Sequence, residues 1–432
     1  MDIQTYCDRL AELIVGKLAQ DGKWREKENK PKVLVFQRGG ADASPLYCAL
    51  QLKILAAGGY PILWPAVPGA YQNFLMYGDE QLMEMTAPRW EVQSGCDCII
   101  NIVANLPGET KWLQDLSDRN PELGKHALDN LALNSAAYKP FGDIMDARTT
   151  AGTFQWMVVP YPALGDADAA GLDQQAYLDL LARALWLDQD DPQAAFAEVD
   201  AMSRRFRDWV QECPTFRVTG PKGTDITITL KDTDLFQAHT LEHNGPDGEA
   251  FGSGIVSADG TIFCPYTANE GFIVEDLVLT FVNGEVVSAV ARTNQAYVDK
   301  KLGERGGRLL GEVAFGTNFA LTMEDILAHI LIAEKILAMH FALGRGYSMA
   351  GRDVNQCSFH WDMLFEVVRI EFANGRVVEK IDNRWVCTQE PADFDHVFGG
   401  PLSAAGGPIG AQIGGNGVAV RRPGGGVVGA TV

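Results

Sequence analysis

Hydrophobic and polar positions follow one pattern in the first half of the chain and another in the second. In the first half, short apolar runs at residues 32–36, 60–64 and 98–103 alternate with segments of helical period such as residues 45–57. Buried strands that alternate with helices are typical of an open, mostly parallel sheet covered on both faces. This pattern predicts an α/β domain.

The pattern changes near Pro214, where mainly helical sequence gives way to alternating, strand-like sequence. The turn signal Asn283-Gly284 between two such runs predicts a β-hairpin. One long apolar helix, predicted over residues 323–339, interrupts this half. The strand-like runs lie at residues 215–218, 225–230 and 277–281.

The chain is therefore expected to have three parts. Residues 1–214 form an N-terminal α/β domain with a mostly parallel sheet, and residues 215–387 form an α+β domain. Residues 388–432 are rich in Gly and Pro, so their ordering entropy is large and their core is small. We expect a flexible extension there, although its apolar residues leave a docked or subunit-bridging role open.

Composition narrows the functional classes. The chain is 47% hydrophobic and 21% charged, as in ordinary globular proteins, and its net charge of -20 would repel a nucleic-acid backbone. No run approaches the ~18 apolar residues of a membrane span, and no leader pattern is present. The eight cysteines lack zinc-ribbon spacing and are expected to be free thiols in a cytoplasmic protein.

Candidate chemistry begins with a His-x-Asp pair in residues 358–363, which alternate like a strand. Alternation sends successive side chains to opposite faces, so His360 and Asp362 are expected to project from the same face. A core histidine beside a surface aspartate is the commoner arrangement for such a pair. The neighbouring segments therefore decide whether this is a metal site.

Four further residues occupy unusual settings. Glu312 lies in an apolar segment, where an unpaired carboxylate would cost several kcal/mol and so needs a cation. His340 ends the predicted helix, Tyr347 follows in a Gly-rich turn, and Glu249 lies in a segment otherwise typical of a solvated turn. Carboxylates with two histidines are ligands that Zn²⁺, Co²⁺ or Mn²⁺ prefer, and the absence of paired thiols argues against structural zinc.

Five segments of the second half occur in a distinctive order. They are Asn244-x-Pro246-x-Gly248-Glu249, Gly311-Glu312-Val313-Ala314-Phe315-Gly316-Thr317-Asn318, Glu334-Lys335-Ile336, His340-Phe341-Ala342-Leu343-Gly344-x-Gly346-Tyr347 and His360-Trp361-Asp362-Met363. In order and spacing they closely resemble the aminopeptidase T family of metal-dependent aminopeptidases. Weaker similarity in the first half extends the resemblance over about residues 1–387.

The resemblance implies a metal site, a reaction and an assembly. Glu312 and Asp362 match bridging carboxylates, and Tyr347 matches a tyrosine beside the metals, so Glu312 and Tyr347 are the candidate catalytic residues. The implied protein is a homodimer that hydrolyses the N-terminal residue from a peptide or a small amide. The implied ligands of two divalent ions, Zn²⁺, Co²⁺ or Mn²⁺, are Glu249, Glu312, His340, His360 and Asp362.

Two alternatives stay open at this stage. A related branch resembles this fold but is a mononuclear non-haem iron dioxygenase that opens dihydroxypyridine rings with two histidines and one carboxylate. In that branch the position of Glu312 looks like a histidine, so Glu249 and Glu312 favour the hydrolase. The other alternative is a metal-dependent tailoring enzyme for an amino-acid or amide derivative. Residues 250–254 depart from the aminopeptidase pattern, so a different pocket wall is expected.

Overall fold

The computed structural model describes residues 1–85 and 87–389, so nearly all of the extension predicted at residues 388–432 lies outside the described residues. The helices within the described part are all too short or too polar to span a bilayer. They are α1 (Ile3–Asp21), α2 (Ser44–Ala57), α3 (Ala70–Tyr77), α4 (Glu80–Glu84), α5 (Pro88–Ser94), α6 (Trp112–Arg119), α7 (Pro121–Thr150), α8 (Leu164–Ala169), α9 (Gln174–Ala184), α10 (Pro192–Glu212), α11 (Gln295–Gly303) and α12 (Ile330–Ala333).

A four-stranded parallel sheet forms the centre of the first half, as predicted. Its strands are β1 (Lys32–Arg38), β2 (Tyr60–Trp64), β3 (Cys98–Val103) and β4 (Gln155–Pro160), in the order β2-β1-β3-β4. The strands are short apolar runs because helices cover both faces of a parallel sheet. On one face, Leu10 and Leu50 from α1 and α2 join Val33 and Val35 in the core. On the other face, Met145 of α7 packs against the sheet.

Two antiparallel sheets form the second half. The larger has the order β11-β10-β9-β6-β5-β15-β16-β17, and the smaller has the order β14-β13-β12-β8-β7. Their strands are β5 (Thr215–Thr219), β6 (Asp225–Leu230), β7 (Gln237–His239), β8 (Glu249–Gly252), β9 (Ile255–Asn269), β10 (Phe272–Val282), β11 (Glu285–Val290), β12 (Leu310–Gly316), β13 (Met339–Gly344), β14 (His360–Phe365), β15 (Arg369–Phe372), β16 (Val377–Ile381) and β17 (Arg384–Cys387).

Local signals account for several element boundaries. Asn283 and Gly284 have φ of 52° and 80°, and they connect β10 to β11 in the predicted hairpin. Helix α10 begins where Asp191 accepts hydrogen bonds from the backbone N–H groups of Gln193 and Ala194, both at 3.1 Å. Pro192 follows at the first helical position, where its missing N–H costs nothing.

An aromatic core joins α10 to the two antiparallel sheets. Phe206 of α10 stacks on Phe315 of β12 with ring centroids 4.6 Å apart. Trp385 of β17 packs edge-on against Phe206 at 5.6 Å, and its indole N–H donates to the Gly316 carbonyl oxygen at 2.9 Å. This cluster fixes β12 from one side, which matters because the other side of β12 carries Glu312.

One local prediction was wrong. The long helix predicted over residues 323–339 is a 3₁₀ segment, Met323–Leu327, followed by the four-residue helix α12. His340 consequently lies in strand β13, whose residues are all buried. A continuously apolar segment does not distinguish a buried strand from a buried helix. Glu249, in a segment otherwise typical of a solvated turn, begins the fully buried strand β8.

We expect Trp385→Ala to lower the free energy of unfolding by about 3–5 kcal/mol, because it removes a buried indole and leaves the Gly316 carbonyl oxygen unpaired. Urea unfolding of the variant and of wild type, followed by tryptophan fluorescence and circular dichroism, measures the loss. Trp64→Ala is the control, since Trp64 is 43% exposed. Equal losses in the two variants would contradict the role given to the aromatic core.

Candidate metal centre

One face of the smaller antiparallel sheet carries the predicted ligands. Glu312, Ala342 and Asp362 are direct partners across β12, β13 and β14. Residues two positions apart share a face, which adds His340 and His360 to this row. Residues of the opposite face, such as Phe315, Phe341 and Trp361, belong to the aromatic core. Strand alternation therefore places ligands on one side of the sheet and core residues on the other.

The side chains meet at short distances. Nε2 of His340 lies 3.3 Å from Oε1 of Glu312 and 3.7 Å from Oε2 of Glu249. Nε2 of His360 lies 3.1 Å from Oδ1 of Asp362. Glu249, Glu312 and His340 are buried, and His360 and Asp362 are partly buried. The structure thus brings all five predicted ligands together.

Backbone carbonyl groups orient both histidines. Nδ1 of His340 lies 3.0 Å from the carbonyl oxygen of Glu334, and Nδ1 of His360 lies 2.7 Å from that of Arg345. A carbonyl oxygen only accepts, so each Nδ1 donates and each Nε2 points at the carboxylates. This is the orientation that metal-ligating histidines adopt in proteins.

The carboxylates favour positive charge between them. Burial by itself lowers the pKa of His340, but the hydrogen bond to Glu312 and the charge of Glu249 raise it to about 9. Burial likewise lowers the pKa of His360, and the charge of Asp362 raises it to about 10. Burial raises the pKa of Asp362, yet His360 brings it down to about 2. The negative charge of these carboxylates therefore attracts a cation.

Three charged residues beside the ligands had no role assigned from the sequence. Lys335 is completely buried, and its Nζ lies 2.5 Å from Oε1 of Glu249, 3.0 Å from Oε1 of Glu334 and 4.0 Å from Oδ1 of Asp247. Burial lowers the pKa of Lys335, but the charges of Glu249 and Glu334 raise it well above its usual value. Burial raises the pKa values of Glu334 and Asp247 to about 7.

A signal for two of these residues was present in the sequence. Glu334 and Lys335 interrupt the otherwise apolar residues 330–339, where an ammonium group is buried only with carboxylate partners. Asp247 lies two residues before Glu249 in a loop, where the sequence does not distinguish a solvated from a buried aspartate. Its burial depends on the approach of Lys335 from a distant segment.

The donor set fits a divalent cation. In each of three groups, the candidate ligand atoms lie within 4.8 Å of one another. Among the described residues, Oε2 of Glu312 is buried and receives no hydrogen bond, which is costly without a cation. The three groups are Glu249 with Glu312 and His340, Glu312 with His360 and Asp362, and Glu334 with His340 and Asp362.

The carboxylates line a cavity that also has aromatic and apolar walls. The ring of Trp156, on β4, stacks on His243 at 4.4 Å, and the ring of Tyr347 lies 4.7 Å from that of His360. Phe251 and Met349 complete the apolar wall. Because β4 belongs to the parallel sheet, the cavity lies between that sheet and the candidate metal ligands.

Backbone hydrogen bonds join the cavity wall to β4. The N–H of Val158 donates to the carbonyl oxygen of His243 at 2.8 Å, and the N–H of Gly245 donates to that of Val158 at 2.9 Å. Residues 243–245 thereby extend the parallel sheet at its β4 edge. The segment that leads to Glu249 is fixed to the first half of the chain.

Comparisons with known proteins identify the family of the chain. The family model described as "Thermophilic metalloprotease (M29)" matches residues 4–371. The solved structure of wild-type AmpT from Thermus thermophilus has the same fold, with a TM-score of 0.62 and 19% identity over 87% of this chain and 99% of that one. No curated protein matches the sequence. The resemblance to the aminopeptidase T family is confirmed: the chain belongs to the thermophilic metalloprotease (M29) family and is a metal-dependent aminopeptidase.

Proposed function

We propose that the enzyme uses two divalent ions to remove the N-terminal residue from short peptides. The observation that carries this proposal is that two groups of donors share Glu312. One group adds Glu249 and His340, and the other adds His360 and Asp362. Because its carboxylate has two oxygens, Glu312 would be able to serve both groups and to hold two ions together.

The balance of charge supports two ions. Five carboxylates line the cavity, and the ammonium group of Lys335 forms an ion pair with one of them, Glu249. If bound cations keep all five ionised, Lys335 leaves four negative charges unbalanced, and two divalent ions would carry four positive charges. A buried site needs such neutrality because uncompensated charge is costly away from water. The carboxylates are those of Asp247, Glu249, Glu312, Glu334 and Asp362.

Peptide hydrolysis follows from the properties of this cavity. Divalent ions supply Lewis-acid polarisation of the scissile carbonyl and lower the pKa of a water molecule towards neutrality. Lys335 holds Glu249 in place, and the two backbone carbonyls hold His340 and His360. The acidic cavity attracts the protonated α-amine of a substrate, which confines cleavage to the first residue. The Tyr347 hydroxyl then donates a hydrogen bond to the developing oxyanion.

The two alternative functions, a dioxygenase and a tailoring enzyme, receive no support. A single iron ion needs two histidines and one carboxylate, whereas Glu249, Glu312 and Asp362 all face this centre. The family match also does not favour a dioxygenase or a tailoring enzyme. Four points stay predictions. They are the identity of the metal, the assembly as a homodimer, the cytoplasmic location and the domain limits at residues 214 and 387.

Glu312→Gln should reduce kcat/KM by at least about a hundredfold, because it removes a negative charge shared by both donor groups. Metal content, measured by plasma mass spectrometry, should fall as well, while circular dichroism stays unchanged. Glu285→Gln on the exposed strand β11 is the control and should match wild type. Full activity in Glu312→Gln would remove this carboxylate from the site.

Removal of metal should abolish hydrolysis of aminoacyl amides, and Zn²⁺, Co²⁺ or Mn²⁺ should restore it. We expect the activity to saturate at two ions per chain, measured by titration of the chelator-treated protein. Saturation at one ion, or stoichiometric iron with O₂ consumption on a hydroxypyridine, would contradict the two-metal hydrolase.

Tyr347→Phe should lower kcat by about 10²-fold with little change in KM or metal content, because the hydroxyl contacts the transition state and not the ions. Steady-state kinetics and metal analysis separate these effects. A variant with normal kcat would exclude the hydroxyl from oxyanion stabilisation, and a variant that loses metal would identify it as a ligand-positioning group.

A further inference from the structure

A small apolar cluster, separate from the two large hydrophobic cores, lies beside the candidate metal ligands. Phe251, Ala314 and Ala350 form its buried part, and the partly buried Tyr347 and Met349 pack against them. Three of these side chains, those of Phe251, Tyr347 and Met349, line the cavity. The cluster therefore presents apolar surface inside a site whose remaining wall is rich in carboxylates.

The pairing of strands places this cluster on the same face as the ligands. Ala314 of β12 is the direct partner of His340 on β13 and of Phe251 on β8. Direct partners project from the same face of a sheet, and so do Phe251 and Glu249, which are two residues apart on β8. Two residues of a strand span about 7 Å. The apolar surface is thus within reach of the side chain of a residue bound at the ligands.

Hydrogen bonds hold the loop that carries Tyr347 and Met349. The N–H of Tyr347 donates to Oγ of Ser253 at 3.0 Å, and the N–H of Ser253 donates to the carbonyl oxygen of Ala350 at 2.9 Å. The side-chain amide of Gln237 donates to the carbonyl oxygen of Met349 at 2.9 Å. The loop is therefore attached at three points, to β7 and to the residue that follows β8. Such a wall has a fixed shape, which is what discrimination between side chains requires.

The close approach of this loop depends on the segment that departs from the aminopeptidase pattern, residues 250–254. A Cβ atom added to Gly351 of the loop would lie 2.6 Å from the backbone nitrogen of Gly254. A Cβ atom added to Gly346 would lie 2.8 Å from the carbonyl oxygen of Gly311. Larger residues at these points would push the loop away from the sheet. The departure therefore shapes the apolar wall of the cavity.

We infer that Phe251, Tyr347 and Met349 form the pocket for the side chain of the N-terminal residue, and that this side chain is apolar, as in leucine. The α-amine and the scissile carbonyl of that residue lie at the acidic ligands, so its side chain is the part of the substrate next to this wall. An apolar side chain gains free energy by leaving water for such a wall, whereas a charged side chain loses its hydration there. This inference rests on the proposed function and identifies its substrate class as peptides with an apolar first residue.

The test compares the amides of leucine, alanine and lysine with the full-length metal-loaded enzyme, because an aminoacyl amide has a first residue only. In wild type, kcat/KM should be at least about tenfold higher for leucinamide than for alaninamide, and lysinamide should be a poorer substrate than leucinamide. Met349→Ala should lower the preference for leucine over alanine by about tenfold, and Met349→Leu, which keeps the volume, should retain it. The preference is a ratio within one variant, so a loss of folded protein does not change it.

Met85→Ala is the matched control, since Met85 is 56% exposed and does not line the cavity. It should keep the wild-type preference. Equal kcat/KM for leucinamide and alaninamide in wild type, a higher value for lysinamide, or an unchanged preference in Met349→Ala would overturn the inference. A preference lost in Trp156→Ala but kept in Met349→Ala would also overturn it, because the side chain would then lie on the opposite wall.

The failure of the proposed function has a different signature. If metal-loaded wild type hydrolyses no aminoacyl amide, the proposed function fails, and calorimetric binding of leucinamide and alaninamide decides the pocket separately. Tighter binding of leucinamide to wild type, lost in Met349→Ala, would support the pocket. Equal binding of the two amides to wild type would overturn it.

Discussion

The burial of one ammonium group among carboxylates is the interaction on which this structure depends. Lys335 has no contact with water, and its charge holds Glu249 and Glu334 at 2.5 and 3.0 Å. Without it, acidic side chains on four neighbouring segments would repel one another in a region of low dielectric constant. Lys335 compensates part of this charge, and the remaining negative charge favours divalent ions. The same residue therefore stabilises the fold and prepares the site for metals.

Strand alternation couples this charged site to the core. Phe315 and Phe341 project from one face of β12 and β13, and Glu312 and His340 project from the other. The aromatic stack between Phe206 and Phe315 limits movement of the backbone that carries Glu312. Glu249, Glu312 and His340 lie on strands that are paired on both sides, which holds a ligand more precisely than a loop does. The hydrophobic core thus sets the ligand spacing.

The sequence was informative where local patterns determine structure. The His360-x-Asp362 alternation, the Asn283-Gly284 turn and the first three parallel strands are confirmed. The strand that carries His340 was predicted as a helix, because continuous burial removes the periodicity that separates the two. The role of Lys335 and the burial of Asp247 depend on contacts between distant segments, which one sequence does not reveal.

The backbone connection between residues 243–245 and β4 makes one wall of the cavity more rigid than the other. Paired peptide groups resist separation, so the two halves of the chain do not open as a hinge along this wall. On the α7 side, side-chain contacts such as the ion pair between Arg345 and Asp146 connect the metal-site loop to the first half. Side chains rearrange far more readily than paired strands. The connection of the metal-site loop to α7 is therefore the more adaptable one, and the β4 wall keeps a fixed position beside the ligands.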